Sequence, residues 1–193
     1  MTYYHLKSCL YLALVILGFT GCKKTSEATH LEASKAFYQA MSASNFDQIT
    51  QLYYDSVRVL EGSYASAYAL ENYRPWLEWD AVFEPTYNVI ALEEGDNSVI
   101  ATVEKTCRRT LFLNVAPTIT QEKLTFKDGK IWSLEIMAYT QYDDVKWNGN
   151  RELLVAWIAQ NYPELNGFEH DQTKVGGQNY LRAIELYENR VGN

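Results

Sequence analysis

Apolar positions recur along this chain first at helical spacing and then in alternation, and that switch sets the order of elements. Leu31 to Met41 carries Leu31, Ala36, Phe37, Ala40 and Met41 on one stripe, which predicts a helix. Ser44-Asn45 can cap a second helix over Phe46 to Tyr54, with Phe46, Ile49, Leu52 and Tyr53 on one side. Ser56 to Glu61 alternates instead, Val57 and Val59 against Arg58 and Leu60, and reads as a short strand. Ala69 to Trp79 returns to helical spacing, with Pro75 either kinking that helix or restarting it.

Strands follow. Thr86 to Leu92 is one, ended by the turn chemistry of Glu93-Glu94-Gly95-Asp96-Asn97. Ser98 to Leu113 reads as a long strand, and Thr118 to Phe126 as its hairpin partner across Asn114 to Pro117. Lys127-Asp128-Gly129-Lys130 is a tight hairpin signal, and Ile131 to Tyr139 is the last strand. Alternation places Val99, Ala101, Val103 and Cys107 on one side, Leu124 with Phe126, and Trp132, Leu134 and Ile136 with Ala138. Thr102, Glu104, Thr106, Arg108, Ser133 and Glu135 fall opposite, so the sheet has one apolar and one wet face. Beyond Asn150 the pattern gives a helix over Arg151 to Asn161, a loop around Pro163 to Gly167, and a last helix near Gln178 to Glu188.

The N-terminal stretch has a different logic. Leu10 to Phe19 is apolar but shorter than the roughly 20 residues a membrane-spanning helix takes. With His5 and Lys7 before it and small residues after it, residues 1–21 have the anatomy of a secretory signal. Phe19-Thr20-Gly21-Cys22 resembles the lipobox of bacterial lipoproteins, with Phe19 where that family prefers an aliphatic residue. The resemblance implies cleavage before Cys22, acylation of its thiol, and an exported domain held at the bacterial cell membrane or outer membrane by a tether over residues 22–30. The cysteine count agrees: Cys9 leaves with the signal and Cys22 takes lipid, so Cys107 has no disulfide partner and reads as a small buried hydrophobe.

Composition narrows the functions. The chain has a formal charge of −7, and residues 1–21 carry one lysine and no acid, so the remainder is one unit more acidic. An acidic chain without Lys/Arg clusters is a poor match for nucleic acid. Aromatics are abundant, with 15 Tyr, 5 Trp and 7 Phe, which favours a broad apolar sheet face or an apolar cavity. Once His5 is gone only His30, in the tether, and His170 remain, without metal-ligand spacing or a nucleophile motif beside them, so neither metal nor cofactor is expected.

Two segments carry a family resemblance. Phe37 to Gly62 is similar to the opening of the nuclear-transport-factor-2-like superfamily, which includes SnoaL-like cyclases and ketosteroid isomerases, and Leu124 to Tyr139 is similar to its closing hairpin. The likeness covers roughly residues 31–142, with 143–193 as a helical C-terminal extension packed on the domain. It implies an α+β fold: a cone-shaped, strongly curved, mostly antiparallel sheet packed on N-terminal helices, with a pocket at the open end. Ketosteroid isomerases need a carboxylate base, a Tyr donor and a protonated acid in an apolar pocket. By resemblance the base falls on Glu61, the acid donor on Glu122, a supporting Tyr on Tyr73, and the Tyr donor on Phe37, which has no hydroxyl.

The residues themselves oppose that chemistry. If the Asn114–Pro117 turn centres a hairpin, Glu122 lies opposite Arg109, and a neighbouring guanidinium favours the ionised carboxylate over the protonated donor. Glu122 then reads as half of an ion pair, and Glu61 as a strand-end carboxylate. The aromatic series Tyr64, Tyr68, Tyr73, Trp76, Trp79 and Phe83 reads as core, as the lining for a flat apolar ligand, or as both. The expected pocket wall is Phe37, Tyr73, Trp76, Trp79, Arg109, Trp132 and Leu134. Non-catalytic binding of a small apolar or amphipathic molecule, or of an envelope partner, is the leading reading. The alternatives are an isomerase, cyclase or hydrolase using Glu61 and Glu122, and a homodimer through an outer sheet face that Glu104, Arg108 and Glu135 make polar.

Overall fold

The computed structural model describes residues 29–192, so the apolar run, Cys22 and most of the tether lie outside the described residues. Helix α1 (His30–Ser42) begins on a capping box: the Thr29 hydroxyl accepts from Glu32 N–H, and the Glu32 carboxylate accepts from Thr29 N–H. His30, expected in the tether, is instead helical, and its ring stacks on Phe126 at 4.4 Å between centroids. Helix α2 (Phe46–Leu52) starts from Asn45, whose side chain accepts from Gln48 N–H. Strand β1 (Ser56–Glu61) follows, and then a strand the pattern did not reveal, β2 (Tyr64–Ala69), returning antiparallel through a tight turn at Gly62. Gly62 has φ +56°, where a side chain would be strained.

Helix α3 (Leu70–Ala81) runs unbroken through Pro75. Strands β3 (Thr86–Gly95) and β4 (Ser98–Thr106) form a hairpin, and β4 stops seven residues short of the expected end. Arg108–Asn114 is a helix, α4, capped by the Cys107 sulfur, which accepts from Thr110 N–H at 3.3 Å. Strands β5 (Thr118–Lys127) and β6 (Lys130–Gln141) complete a six-stranded sheet in the order β2-β1-β6-β5-β4-β3. All neighbours are antiparallel except β1 and β6, where Val59 lies beside Leu134 in parallel. The sheet is curved and its two edges stay unclosed, so the fold is α+β and cone-shaped.

Bulges supply the curvature. Between β5 and β6 the register shifts three times, so Phe126, Leu124, Glu122 and Thr120 face Ile131, Leu134, Ile136 and Tyr139 in turn. Each shift leaves an extra residue on β6, and strict alternation therefore misassigns that strand. Trp132 and Met137 are pushed outward, 38% and 49% exposed. Trp132, expected in the pocket wall, packs instead under Arg58, whose guanidinium carbon lies 4.9 Å from the ring centroid.

Two apolar interiors result. The first joins α1, α2 and α3 to the concave sheet face through Phe37, Tyr53, Val57, Val99, Ala101 and Leu124. The second lies among α3, α4 and the C-terminal helices α5 (Asp144–Asn161) and α6 (Lys174–Glu188), and includes Trp79, Phe83, Leu113, Leu154, Ile158 and Ile184. Gly176 and Gly177, just ahead of the expected start of the last helix, are helical, and Gly177 allows close approach: a Cβ there would sit 2.9 Å from the Trp79 carbonyl oxygen. Cys107 is buried in this second interior, at the helix cap and off the strand where it was expected.

Candidate functional site

The concave face of β5 changes character along its length. Leu124 and Phe126 seal the narrow end, while Thr118, Thr120 and Glu122 face inward where the sheet opens. The helices do not fill that opening. A cavity of about 620 Å³ remains, within the range of small-molecule sites. Phe37 and Tyr38 of α1, Tyr73 and Trp76 of α3, and Leu134 and Ile136 of β6 form much of its wall. Pro75 also lines it; lacking an N–H, it leaves the preceding turn of α3 one hydrogen bond short.

Glu122 is the buried carboxyl of this cavity. It sits opposite Ala101 on β4 and Ile136 on β6, not opposite Arg109, because Arg109 belongs to α4. The expected cross-strand ion pair is therefore not formed. Tyr38 donates to Glu122 Oε2 at 2.9 Å, and Thr120 donates to Oε1 at 2.7 Å. Burial pushes the Glu122 carboxyl above its ordinary pKa, while the two hydrogen bonds and the Lys105 charge oppose the rise. Tyr38 is pushed far up by burial and by the Glu122 charge, so its phenol stays a donor. The hydroxyl that Phe37 lacks is thus supplied one position later, which no periodicity could distinguish because both rings are buried.

Lys105, in the wall, pairs with the buried carboxylate of Asp80. The ammonium lies 2.8 and 2.9 Å from the two Asp80 oxygens and 4.9 Å from the Tyr87 ring centroid, and the Tyr87 hydroxyl donates to Asp80 at 3.1 Å. Burial, with the Asp80 charge second, raises the Tyr87 phenol well above its usual range. Glu61 lies near the rim and accepts from the Tyr139 hydroxyl at 2.6 Å. Tyr64 and Tyr68, the first two of the aromatic series, share a face of β2 with hydroxyls 2.6 Å apart, since a spacing of four suits a strand face as well as a helix.

Of the expected wall, Phe37, Tyr73, Trp76, Arg109 and Leu134 line the cavity together with Glu61 and Glu122. Trp79 does not; it is 4% exposed and packs edge-on against Phe83 in the second interior. Trp147 of α5 and Gln172 reach the cavity from the C-terminal part of the chain, which the pattern gave no reason to expect. Arg109 lies between the two interiors, with its guanidinium carbon 4.8 Å from the Trp79 centroid and 5.1 Å from that of Trp147.

No protein-family model matches the sequence, and no curated protein is similar enough to match. Several solved structures are similar in shape. An NTF2-like protein of unknown function from Cytophaga hutchinsonii is 15% identical with a TM-score of 0.48, the likeness covering 60% of this chain and 93% of that one. A putative polyketide cyclase from Sinorhizobium meliloti is 14% identical with a TM-score of 0.46, over 54% of this chain and 93% of its own. A SnoaL-like protein of unknown function from Burkholderia thailandensis is 15% identical with a TM-score of 0.46, over 57% and 94%. At these identities no residue role comes with the likeness.

Proposed function

We propose that the cone binds a small, largely apolar molecule without transforming it, at a membrane surface where the chain is held by lipid on Cys22. The observation that carries this reading is an open cavity of about 620 Å³ whose deepest carboxyl, Glu122, already accepts from Tyr38 and Thr120. A general acid or base needs a lone pair or proton aimed at substrate, and here each oxygen already commits one of its two lone pairs to the protein's own hydroxyls. The aromatic and aliphatic wall offers area for burial, and its few polar groups can fix orientation.

One observation favours an acid/base reading. Burial raises the Glu122 carboxyl, and Glu61 lines the same cavity, so an isomerase, cyclase or hydrolase could draw on both. That chemistry would run through the lone pair each Glu122 oxygen keeps after accepting from Tyr38 or Thr120.

Native mass spectrometry of the protein purified from its own membranes tests the binding and anchoring parts together. The expected spectrum carries a noncovalent small molecule that leaves on collisional activation, plus acyl mass on Cys22 that disappears in Cys22→Ser. A bare polypeptide mass, with pyrene also failing to enter the folded protein, would remove the binding reading. An unacylated Cys22 would remove the anchor.

A further inference from the structure

We infer that the cone's occupant is an apolar monocarboxylic acid, its carboxylate held by Arg109 and its hydrocarbon body against the aromatic wall. The inference rests on the binding reading above and names the ligand's chemical class.

Arg109 is a cation of the cavity wall that no ion pair engages among the described residues. Its Nε is buried and has no hydrogen-bond partner. The other cation of the wall, Lys105, is already committed to both oxygens of Asp80. The guanidinium carbon lies 4.8 Å from the Trp79 centroid and 5.1 Å from that of Trp147, and a guanidinium's N–H donors form a planar fork that fits a carboxylate bidentately.

The surroundings point the same way. Trp79 and Tyr180 belong to the second interior and do not line the cavity; their ring centroids lie 4.8 and 6.0 Å from the guanidinium carbon, so in this corner the group that borders the cone is Arg109. One buried acceptor nearby in sequence to α6, Glu169 Oε2, is unpartnered as well, but it makes no ion pair with Arg109. A buried donor without an acceptor is costly, and a ligand that brings an acceptor recovers that cost on binding.

Charge counting sets the valence. One unpaired guanidinium balances one negative charge, and the carboxyls of Glu61 and Glu122 on the same wall disfavour a second. A phosphate monoester is thereby overcharged for the site, and a neutral lipid leaves Arg109 unanswered. The rest of the ligand meets Phe37, Tyr73, Trp76, Leu134 and Ile136, which offer area and no charge.

The test uses the full chain in detergent with 1-pyrenebutyric acid and its neutral amide, binding being read as energy transfer from protein tryptophan to pyrene after subtraction of blank micelles. The acid is expected to bind roughly ten- to a hundredfold tighter than the amide, the size of a charge-assisted hydrogen-bonded contact. Arg109→Gln should bring the two to similar affinity, and Arg109→Lys should fall between, keeping charge but losing the fork. Equal affinity of acid and amide for the unaltered chain overturns the carboxylate inference and leaves the binding reading standing. Absence of transfer with either probe overturns both. The acid-to-amide ratio of the unaltered chain decides the matter even if an Arg109 variant fails to fold.

Discussion

Helix α3 sends its aromatic side chains into two interiors with different fates. Tyr73 and Trp76, stacked at 5.1 Å, border the cavity, whereas Trp79 meets Phe83 edge-on and is sealed beneath α6. The residue types are the same and the spacing is continuous, so the aromatic stripe alone does not decide between lining and core. What decides is the opposing layer. Opposite Trp79, Gly177 lets α6 approach to backbone contact, and Ala183 and Ile184 are buried in the same interior. Opposite Tyr73 the facing strands carry Thr118, Thr120 and Glu122, and the bulges on β6 bend the sheet away. One interior is closed by small residues that permit contact; the other is held open by curvature.

That contrast can be broken most forcefully at Leu154, which is fully buried in the closed interior. Leu154→Ala should cost about 2–5 kcal/mol in urea unfolding, the usual loss when a cavity opens in a packed core. A cost under 1 kcal/mol would mean that the C-terminal interior is as loosely filled as the cone.

A smaller effect is expected at Glu122, and it has a sign in pH. Because burial raises the folded carboxyl, the native chain holds this proton longer than the unfolded chain does. Stability of the unaltered protein relative to Glu122→Gln should therefore be greatest below the ordinary carboxylate value of about 4.3. It should fall as pH rises through the raised folded pKa and then level off. A relative stability that instead climbs with pH would show that the two hydrogen bonds outweigh burial.

The smallest change is expected at Leu134, which is only half-buried and already borders empty space. Leu134→Ala should cost about 1 kcal/mol or less, since it enlarges an existing void more than it creates one. Its binding readout should move more than its melting temperature, with weaker uptake of pyrene compounds. A loss comparable to that of Leu154→Ala would place Leu134 in a packed core and remove the distinction.

The parts of the fold legible in the sequence are those whose signals are local. The stripe of α1, the alternation of β1 and Val99, Ala101 and Val103 of β4, and the tight turn at Asp128-Gly129 all appear where expected. The failures share a cause. Strand β2 alternates Tyr with Ala or Ser, so its apolar face is intermittent and its tyrosines fit a helical count equally well. The start of α4 looks strand-like because Cys107, Arg109, Leu111 and Leu113 alternate, yet Phe83 O captures Arg108 N–H at 2.9 Å and a sulfur cap starts a helix. Moving that one segment takes Arg109 from a place opposite Glu122 to the junction of the two interiors. On β6 each bulge reverses the alternation, which is why Trp132 leaves the wall and Tyr139 joins it. Glu61 and Glu122 were findable as inward strand carboxyls; the hydroxyls that occupy them, from Tyr38 and Tyr139, depend on pairings far apart in sequence.

The parallel joining of β1 to β6 also orders events during synthesis. Residues 56–61 leave the ribosome with β2 soon available for one edge, but the other edge waits until residues 134–136 have followed. Through that interval a row of amides stays open to mispairing, and only the arrival of the sheet's last strand shuts it. The rim that bears Glu61 is consequently among the final pieces set in place, and a chain truncated before residue 134 would lack that side of the vessel altogether.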